Sequence, residues 1–376
     1  MGIQDIINLV SKNVKGVHTS IMSESDIARS SDTVKTISLD LNRILSGNLF
    51  QGIPNRSLVG IVGPEGTMKS SFMILCMVEA IKQGYQPYII DTERGASDQF
   101  CSRWGLDLSK VGYSYTPWID RIMSILAQIK DSGEKKLIIG LDSVGGIDKY
   151  KMYSDALDGE PKADQGQLQR QIRSMLKLLL NICVEQESIG IVTGHMYGSP
   201  GSGSGIPMEQ VGGGKAMRLF PTILLQLKRE AIKMDGVKGV PAKIIGSQVK
   251  ATTIKNRMYP PFQEALISID YVDGINPYAG ILDLAVKAGL VEKAGSWFSY
   301  KGNNIGQGEI KAMDAFGDHP EILEDINTWL EKTKYSNINT NVKEAEELFK
   351  TEVSTNDETE EHSENEEKPK RSRKAK

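Results

Sequence analysis

The stretch Leu58-Val-Gly-Ile-Val-Gly63-Pro-Glu-Gly66-Thr-Met-Lys69-Ser70-Ser-Phe72 decides the fold. It opens with a short apolar run rich in Val and Ile, which reads as a buried strand. A Gly-rich turn follows, and Phe72-Met-Ile-Leu-Cys-Met-Val-Glu-Ala-Ile then shows helical spacing. Strand, Gly turn and helix with Lys-Ser at its entrance form the context of a phosphate-binding loop. The turn through Gly63, Pro64, Glu65, Gly66, Thr67 and Met68, continued by Lys69, Ser70 and Ser71 at the helix N-terminus, would cradle phosphates. The Lys69 ammonium reaches β/γ oxygens, and the Ser70 hydroxyl suits a Mg²⁺ ion. Met68 stands where the pattern G-x-x-x-x-G-K-[ST] has its last Gly. Gly-rich strand–helix turns also occur without nucleotide; the joint placement of Gly63, Lys69 and Ser70 is what favours nucleotide here.

Outward from this unit, strands and helices alternate. Tyr88–Asp91 and Lys136–Asp142 read as strands, as does Ser188–Gly194; helices are expected around Ala96–Trp104, Ile119–Lys130 and Leu168–Glu187. That order is the mark of an α/β fold with a mostly parallel sheet. Ile223–Lys228, Ser247–Lys255 and Leu266–Tyr271 follow without a long helix between them, and are expected to extend the sheet partly antiparallel. Two stretches break the alternation, Lys149–Gln167 and the Gly/Ser/Pro-rich Met196–Gly214. Long loops of this kind are usually functional or mobile.

The organisation expected is an N-terminal segment 1–35, a core 36–275, a small α/β domain 276–333 and a tail 334–376. Ile3, Ile6, Ile7 and Val10 give the N-terminal segment an apolar helical stripe, which must pack on its own core or on a neighbouring subunit. The tail runs acidic from Glu344 to Glu367 and then basic from Lys368 to Lys376, a composition expected to be disordered. No run of 18 uncharged apolar residues exists to span a membrane, and the N-terminus lacks the order of a secretory signal. Cys76, Cys101 and Cys183 form no paired framework and read as reduced core residues, so a cytoplasmic protein is expected. The net charge of −3 does not advertise nucleic acid, but it sums a core with that tail.

A phosphate loop needs a second carboxylate for Mg²⁺ and a group that activates water. Asp142 ends an apolar strand and fits the first role; a strand-capping Asp is the plainer alternative. Glu93 follows the strand ending at Asp91 and suits a general base, against an ordinary exposed loop glutamate. His195 ends the next strand and leads into the Gly-rich loop, although an isolated His is more often structural.

Together these residues carry a family resemblance. Gly63-Pro-Glu…Lys69-Ser70, Asp91-Thr-Glu93, Leu141-Asp-Ser-Val and Gly212-Gly-Gly-Lys-Ala resemble the RecA strand-exchange recombinases. So do Lys255-Asn-Arg257…Pro261-Phe, Asp273-Gly-Ile-Asn276 and Glu292-Lys-Ala-Gly-Ser-Trp-Phe-Ser-Tyr-Lys-Gly…Ile305-Gly-Gln-Gly308. The resemblance runs from Thr36 to Lys332. Met68 and His195 are similar to the phage UvsX branch.

The resemblance implies ATP and Mg²⁺ as cofactors, a helical filament of identical subunits, and binding of single-stranded and double-stranded DNA. It makes Glu93 the catalytic base, Asp142 the metal carboxylate with Ser143 beside it, and Phe100 the aromatic that stacks on adenine. Ser97 replaces an Asp that faces the base. His195 becomes the sensor of the γ-phosphate, and Lys255 with Arg257 a cationic pair reaching the neighbouring subunit's nucleotide. The loops 149–167 and 196–214 become DNA-binding loops, with Lys149, Lys151, Met196, Gly212, Gly213, Gly214, Lys215 and Arg218 as contacts. Glycine amides there approach phosphates closely because no Cβ intervenes. A flexible linker has the same composition, so the loops alone carry no DNA argument. The tail offers a site for a loader or single-strand-binding protein. A nucleotide-switched DNA-binding scaffold with vestigial hydrolysis is the alternative that Met68 keeps open, and a hexameric helicase on the same core is a third.

Overall fold

Every residue of Ser57–Gly63 is buried, and the strand serves two cores at once. Val59 and Ile61 join one apolar cluster with Met73, Ile74 and Ile89. Leu58 and Val62 join another with Leu141, Leu176 and Leu179. Alternate side chains of a strand leave on opposite faces, and a parallel strand covered on both faces reads as a continuous apolar run. The computed structural model describes residues 2–28, 32–157, 166–197, 210–233 and 243–333.

The chain begins with α1 (Ile3–Asn13), β1 (Thr33–Val34), α2 (Leu39–Ser46) and β2 (Ile53–Pro54). Next come β3 (Ser57–Gly63), α3 (Lys69–Lys82), β4 (Gln86–Asp91), α4 (Asp98–Arg103), β5 (Gly112–Tyr115) and α5 (Ile119–Ser132). They lead to β6 (Leu137–Asp142), α6 (Tyr150–Leu157), α7 (Gln167–Glu185) and β7 (Ile189–Tyr197). Then follow β8 (Gln210–Val211), α8 (Lys215–Leu219), β9 (Ile223–Lys233), β10 (Ile244–Asn256), β11 (Glu264–Asp270) and β12 (Gly274–Asn276). The last elements are α9 (Ile281–Lys287), β13 (Val291–Ala294), β14 (Trp297–Tyr300), β15 (Asn303–Gln307), α10 (Glu309–Asp318) and α11 (Pro320–Thr333).

The main sheet runs β12-β11-β10-β9-β3-β7-β6-β4-β5, with β8 paired to β7. From β9 to β5 along that path all neighbours are parallel. Beyond β9 the pairs with β10, β11 and β12 are antiparallel. This is the α/β core expected, with α3 on one face and α5 and α7 on the other. A separate antiparallel sheet of β13, β14 and β15 accompanies α9 and α10. The chain divides into two units, Met1–Ile326 and Asn327–Lys376, the boundary falling within α11. The three cysteines are free and buried. Among the described residues no helix is long and apolar enough to cross a membrane.

One expectation needs adjustment, one helix was missed, and one open alternative narrows. The break expected over 149–167 contains α6, whose Tyr150, Tyr153 and Leu157 recur at helical spacing. That stripe is exposed, so composition made the segment look like loop. The helix α10 was not expected; it buries only Ala312 and Phe316, too sparse a pattern to stand out. The helix α1 buries no residue of its own, so its apolar stripe does not pack on this chain's core. Residues 158–165 and 198–209, within the two expected DNA loops, and the tail 334–376 lie outside the described residues.

Candidate active site

Sheet register assembles the site before any side chain is considered. Gly63 at the end of β3 pairs with His195 of β7, and Asp91 at the end of β4 pairs with Asp142 of β6. Parallel strands therefore deliver Gly63, His195, Asp142 and Asp91-Thr-Glu93 to one carboxyl edge, where open α/β sheets bind ligands.

The phosphate loop is fixed from within. A Cβ at Gly63 would lie 2.5 Å from the Leu227 carbonyl oxygen and 2.7 Å from Thr67 Oγ1, so only glycine fits. At Gly66 φ is +71°, a turn that glycine takes at no steric cost. Thr67 Oγ1 donates to the Pro64 carbonyl at 2.8 Å. Lys69 Nζ donates to the Gly63 and Pro64 carbonyls at 3.1 and 2.8 Å. Met68 adopts φ +69° at the N-cap of α3, a left-handed conformation costing a side-chain-bearing residue roughly 1–2 kcal/mol. Its side chain packs against the apolar cluster that contains Phe72, which offsets that cost. The Lys69 turn thus forms with a Cβ at the preceding position. Burial pushes the Lys69 ammonium below the usual lysine range, opposed by the charges of Asp142, Glu93 and Glu65.

The two residues proposed for Mg²⁺ meet. Asp142 accepts a hydrogen bond from the Thr193 hydroxyl, and the Ser70 hydroxyl lies close enough to lower its pKa. A hydroxyl beside a buried carboxylate is the oxygen-donor chemistry that would hold Mg²⁺, which would supply positive charge for phosphate. Burial pushes the Asp142 carboxyl up; the two hydroxyls oppose this, and Asp91 and Glu93 add to it.

Glu93 is held by its neighbours. Its Oε1 accepts from Ser143 Oγ at 2.6 Å. The Asp91 carboxylate, fully buried, accepts the N–H groups of Glu93, Gly95 and Ala96 at 3.0, 3.2 and 3.0 Å. Tyr113 Oη adds a bond to it at 3.1 Å. Thr92 Oγ1 donates to the Ser143 carbonyl at 2.8 Å and accepts the Ser143 N–H at 2.9 Å, buckling the ends of β4 and β6 together. A Cβ at Gly145 would lie 3.3 Å from Ser143 Oγ, 3.4 Å from His195 Cδ2 and 3.8 Å from Glu93 Oε1. His195, Ser143 and Glu93 thus share one small space.

Beyond the loop lies a cavity of about 480 Å³ lined by Met68, Phe100, Arg103, Trp104, Arg229 and Tyr271, among others. Phe100, the aromatic expected to stack on adenine, is one of its walls. Ser97 is occupied as the cap of α4, accepting the Phe100 N–H at 3.2 Å. Tyr271, Arg103 and Arg229 were not singled out from the sequence. They lie on three separate segments, and only the sheet brings them together.

Lys255 and Arg257 are not joined to the phosphate loop. Lys255 Nζ donates to the carbonyls of Arg218 and Leu219 at 3.0 and 2.8 Å, and Arg257 Nη2 to that of Leu219 at 3.5 Å. Both cations therefore cap the C-terminal end of α8, a placement the helix dipole favours. Arg257 lies one residue beyond β10, and a register shift between Thr253 and Lys255 precedes it. Burial, then the Arg257 charge, lowers the Lys255 pKa.

Of the expected DNA contacts, Lys151, Gly214, Lys215 and Arg218 are exposed, and Gly212 and Gly213 half-buried. Lys149 is buried, its ammonium donating to Gln167 Oε1 at 3.2 Å, so burial takes it from the surface where a phosphate contact was expected. Met196 pairs with Val211 across β7 and β8. The Gly212 N–H donates to the His195 carbonyl at 2.7 Å, tying the second loop's far end to the strand carrying the candidate sensor. An exposed aromatic group of Tyr150 and Tyr153 beside Trp118, with Arg121 over the Tyr150 ring, was not anticipated.

Comparison with known proteins gives a consistent result. The model of the RecA N-terminal domain matches residues 3–276, and that of the RecA C-terminal domain residues 279–333. Protein RecA of Rickettsia massiliae is 30% identical over 314 residues, covering 82% of this chain and 87% of the relative. Protein RecA of Acinetobacter baylyi is 28% identical over 315 residues, 83% of this chain and 85% of the relative. For Colwellia psychrerythraea the figures are 28% over 324 residues, 84% and 89%.

Proposed function

The chain belongs to the RecA family of DNA recombination and repair ATPases, and we propose that it assembles on single-stranded DNA as a helical filament that hydrolyses ATP and exchanges strands with homologous duplex. One observation carries the reading. Four parallel strand ends gather Lys69, the neighbours Ser70 and Asp142, and the hydrogen-bonded pair Ser143 and Glu93 at a single edge. Lys69 supplies the cation for the β/γ-phosphates, and Ser70 with Asp142 hold Mg²⁺. That ion, when bound, neutralises charge on the phosphates. Glu93, oriented by Ser143, orients water and takes its proton. His195 faces the same space and reports its occupancy to the second DNA loop through its bond to Gly212.

The exposed apolar stripe of α1 supports a role as the oligomerisation segment 1–35, followed by an ATPase core 36–275, a C-terminal domain 276–333 and a regulatory tail 334–376. Lys255 and Arg257 act on the neighbouring subunit's nucleotide, and the DNA loops hold single-stranded DNA. The phage branch and the cytoplasm complete the reading.

The test is ATP hydrolysis with and without single-stranded DNA. Strong stimulation is expected. If ADP binds but DNA gives no stimulation, the switched scaffold takes its place. Closed hexameric rings instead of filaments in negative stain would favour the helicase.

A further inference from the structure

Within the phosphate loop Thr67 and Lys69 hold the Pro64 carbonyl, while the crown stands out into solvent. Pro64, Glu65 and Gly66 are exposed, and a Cβ at Gly66 would meet nothing within 4 Å. One side chain from a distant part of the sheet reaches it. Arg229 Nη1 donates to the Gly66 carbonyl at 3.0 Å. The same guanidinium donates through Nε to Ser247 Oγ at 2.8 Å and through Nη2 to Tyr271 Oη at 2.7 Å. Ser247 Oγ and Tyr271 Oη are 2.8 Å apart, closing the ring. Ser247 is fully buried and sits on β10 two residues before Val249, the register partner of Arg229 on β9. Residues two apart on a strand share a face, so the buried anchor lies on the same face as the partner of Arg229.

We propose that Arg229 is a positioning residue for the nucleotide site: anchored by Ser247 and Tyr271, it pins the Gly66 carbonyl and so sets the loop for phosphate. This rests on the nucleotide-binding reading above. The physical step is short. In a trans peptide the C=O and the following N–H point in opposite directions. Holding the Gly66 carbonyl toward Arg229 therefore aims the Thr67 N–H away from it. A guanidinium suits the task because its donors form one rigid plane, which an ammonium cannot imitate. Tyr271 also lines the cavity that Phe100 lines. The brace thus joins the base end of the site to its phosphate end through one planar group.

The test measures MgADP affinity by calorimetry, KM and kcat for DNA-stimulated hydrolysis, and melting temperature. Arg229→Ala is expected to weaken MgADP by about 10- to 150-fold, the loss typical of a hydrogen bond from a charged donor. KM should rise far more than kcat falls. Tyr271→Phe and Ser247→Ala, which touch Arg229 and not the loop, should each reproduce part of the defect. Arg229→Lys should recover only part of the affinity. Arg229→Ala that binds MgADP like the parent protein overturns the proposal. Full recovery by Arg229→Lys, with Tyr271→Phe and Ser247→Ala silent, would mean a plain charge effect and also overturns it. Should Arg229→Ala not fold, the two anchor variants decide, and parent-like affinity in both refutes the brace. A parent protein that binds no MgADP overturns the nucleotide reading itself, and the brace with it.

Discussion

Ser143→Ala separates orientation of the proposed base from the base itself. Ser143 Oγ is 2.6 Å from Glu93 Oε1, a charge-assisted hydrogen bond if Glu93 is ionised. Hydrogen bonds to charged groups are worth about 1.5–3 kcal/mol, and each 1.36 kcal/mol is tenfold in rate. If that energy fixes Glu93 for catalysis, kcat should fall by roughly 10- to 150-fold. The same oxygen accepts the Gly145 N–H at 3.1 Å as the cap of a short 3-10 turn. Its removal should cost about 0.5–2 kcal/mol of stability as well. The two effects separate in a double-mutant cycle. Glu93→Gln keeps an acceptor for Ser143 but loses the basicity, so hydrolysis should fall by about 10²–10⁴-fold with nucleotide affinity retained. On that background Ser143→Ala should lower kcat little further, because the group it orients no longer takes a proton. Single-turnover hydrolysis with saturating single-stranded DNA is the assay, with melting temperature measured in parallel. If the two losses multiply in full, Ser143 acts independently of Glu93 and the orienting role is wrong.

Lys69→Ala should retain the fold yet lose tight ATP binding and strand exchange; normal exchange would refute the phosphate-loop assignment. Asp142 has a folded pKa raised chiefly by burial, so its contribution to stability is fullest below its unfolded pKa and is lost as pH rises through the folded value. Asp142→Asn should therefore raise the melting temperature at neutral pH, with the gain shrinking toward pH 4, while hydrolysis falls by about 10²-fold or more; a lower melting temperature at pH 7 contradicts this. Deleting 343–376 should strengthen duplex DNA binding most at low salt, where the acidic run is least screened; equal or weaker binding there ends the self-competition idea. Filaments mixed equally from Lys255→Ala/Arg257→Ala and Glu93→Gln subunits should regain activity at roughly a quarter of interfaces; no recovery, with co-assembly verified, means the cations do not act across the interface.

Sequence pattern revealed the parallel core because its strands are buried on both faces. Runs such as Leu137-Ile-Ile-Gly-Leu-Asp142 are short, apolar up to the last residue and followed by turn residues, which favours a buried strand over a helix. The candidate site residues stood out for the same reason, since Asp142 ends such a run, Glu93 and Lys69 lie just beyond two others, and His195 lies near the end of a fourth. What escaped was carried by long-range register. Arg229, Ser247 and Tyr271 are ordinary residues on exposed or antiparallel stretches, and their convergence depends on β9 lying between β3 and β10. The burial of Lys149 was equally invisible, because it depends on Gln167, eighteen residues away across a helix. The cations Lys255 and Arg257 were read as a pair reaching a neighbouring subunit; their bonds to the carbonyls at the end of α8 depend on packing that spacing does not show.

Asp91 and Asp142 show how one edge assigns two roles to the same side chain. They are register partners on neighbouring strands, and both are buried. Asp91 receives three backbone N–H groups and a tyrosine hydroxyl, so its lone pairs are largely taken by the protein. It is a structural anchor that shapes the turn carrying Glu93. Asp142 accepts the Thr193 hydroxyl and has the Ser70 hydroxyl beside it, and a carboxylate has about four acceptor sites. Its remaining capacity, together with the neighbouring Asp91 and Glu93 charges that raise its pKa, leaves a buried anion that the chain itself only partly compensates. A divalent cation at Ser70 would relieve that deficit, whereas at Asp91 it would have to displace bonds already made. The donors around Asp91 make it a scaffold, and the freer Asp142 carboxylate supports the proposal that it is the metal-side group.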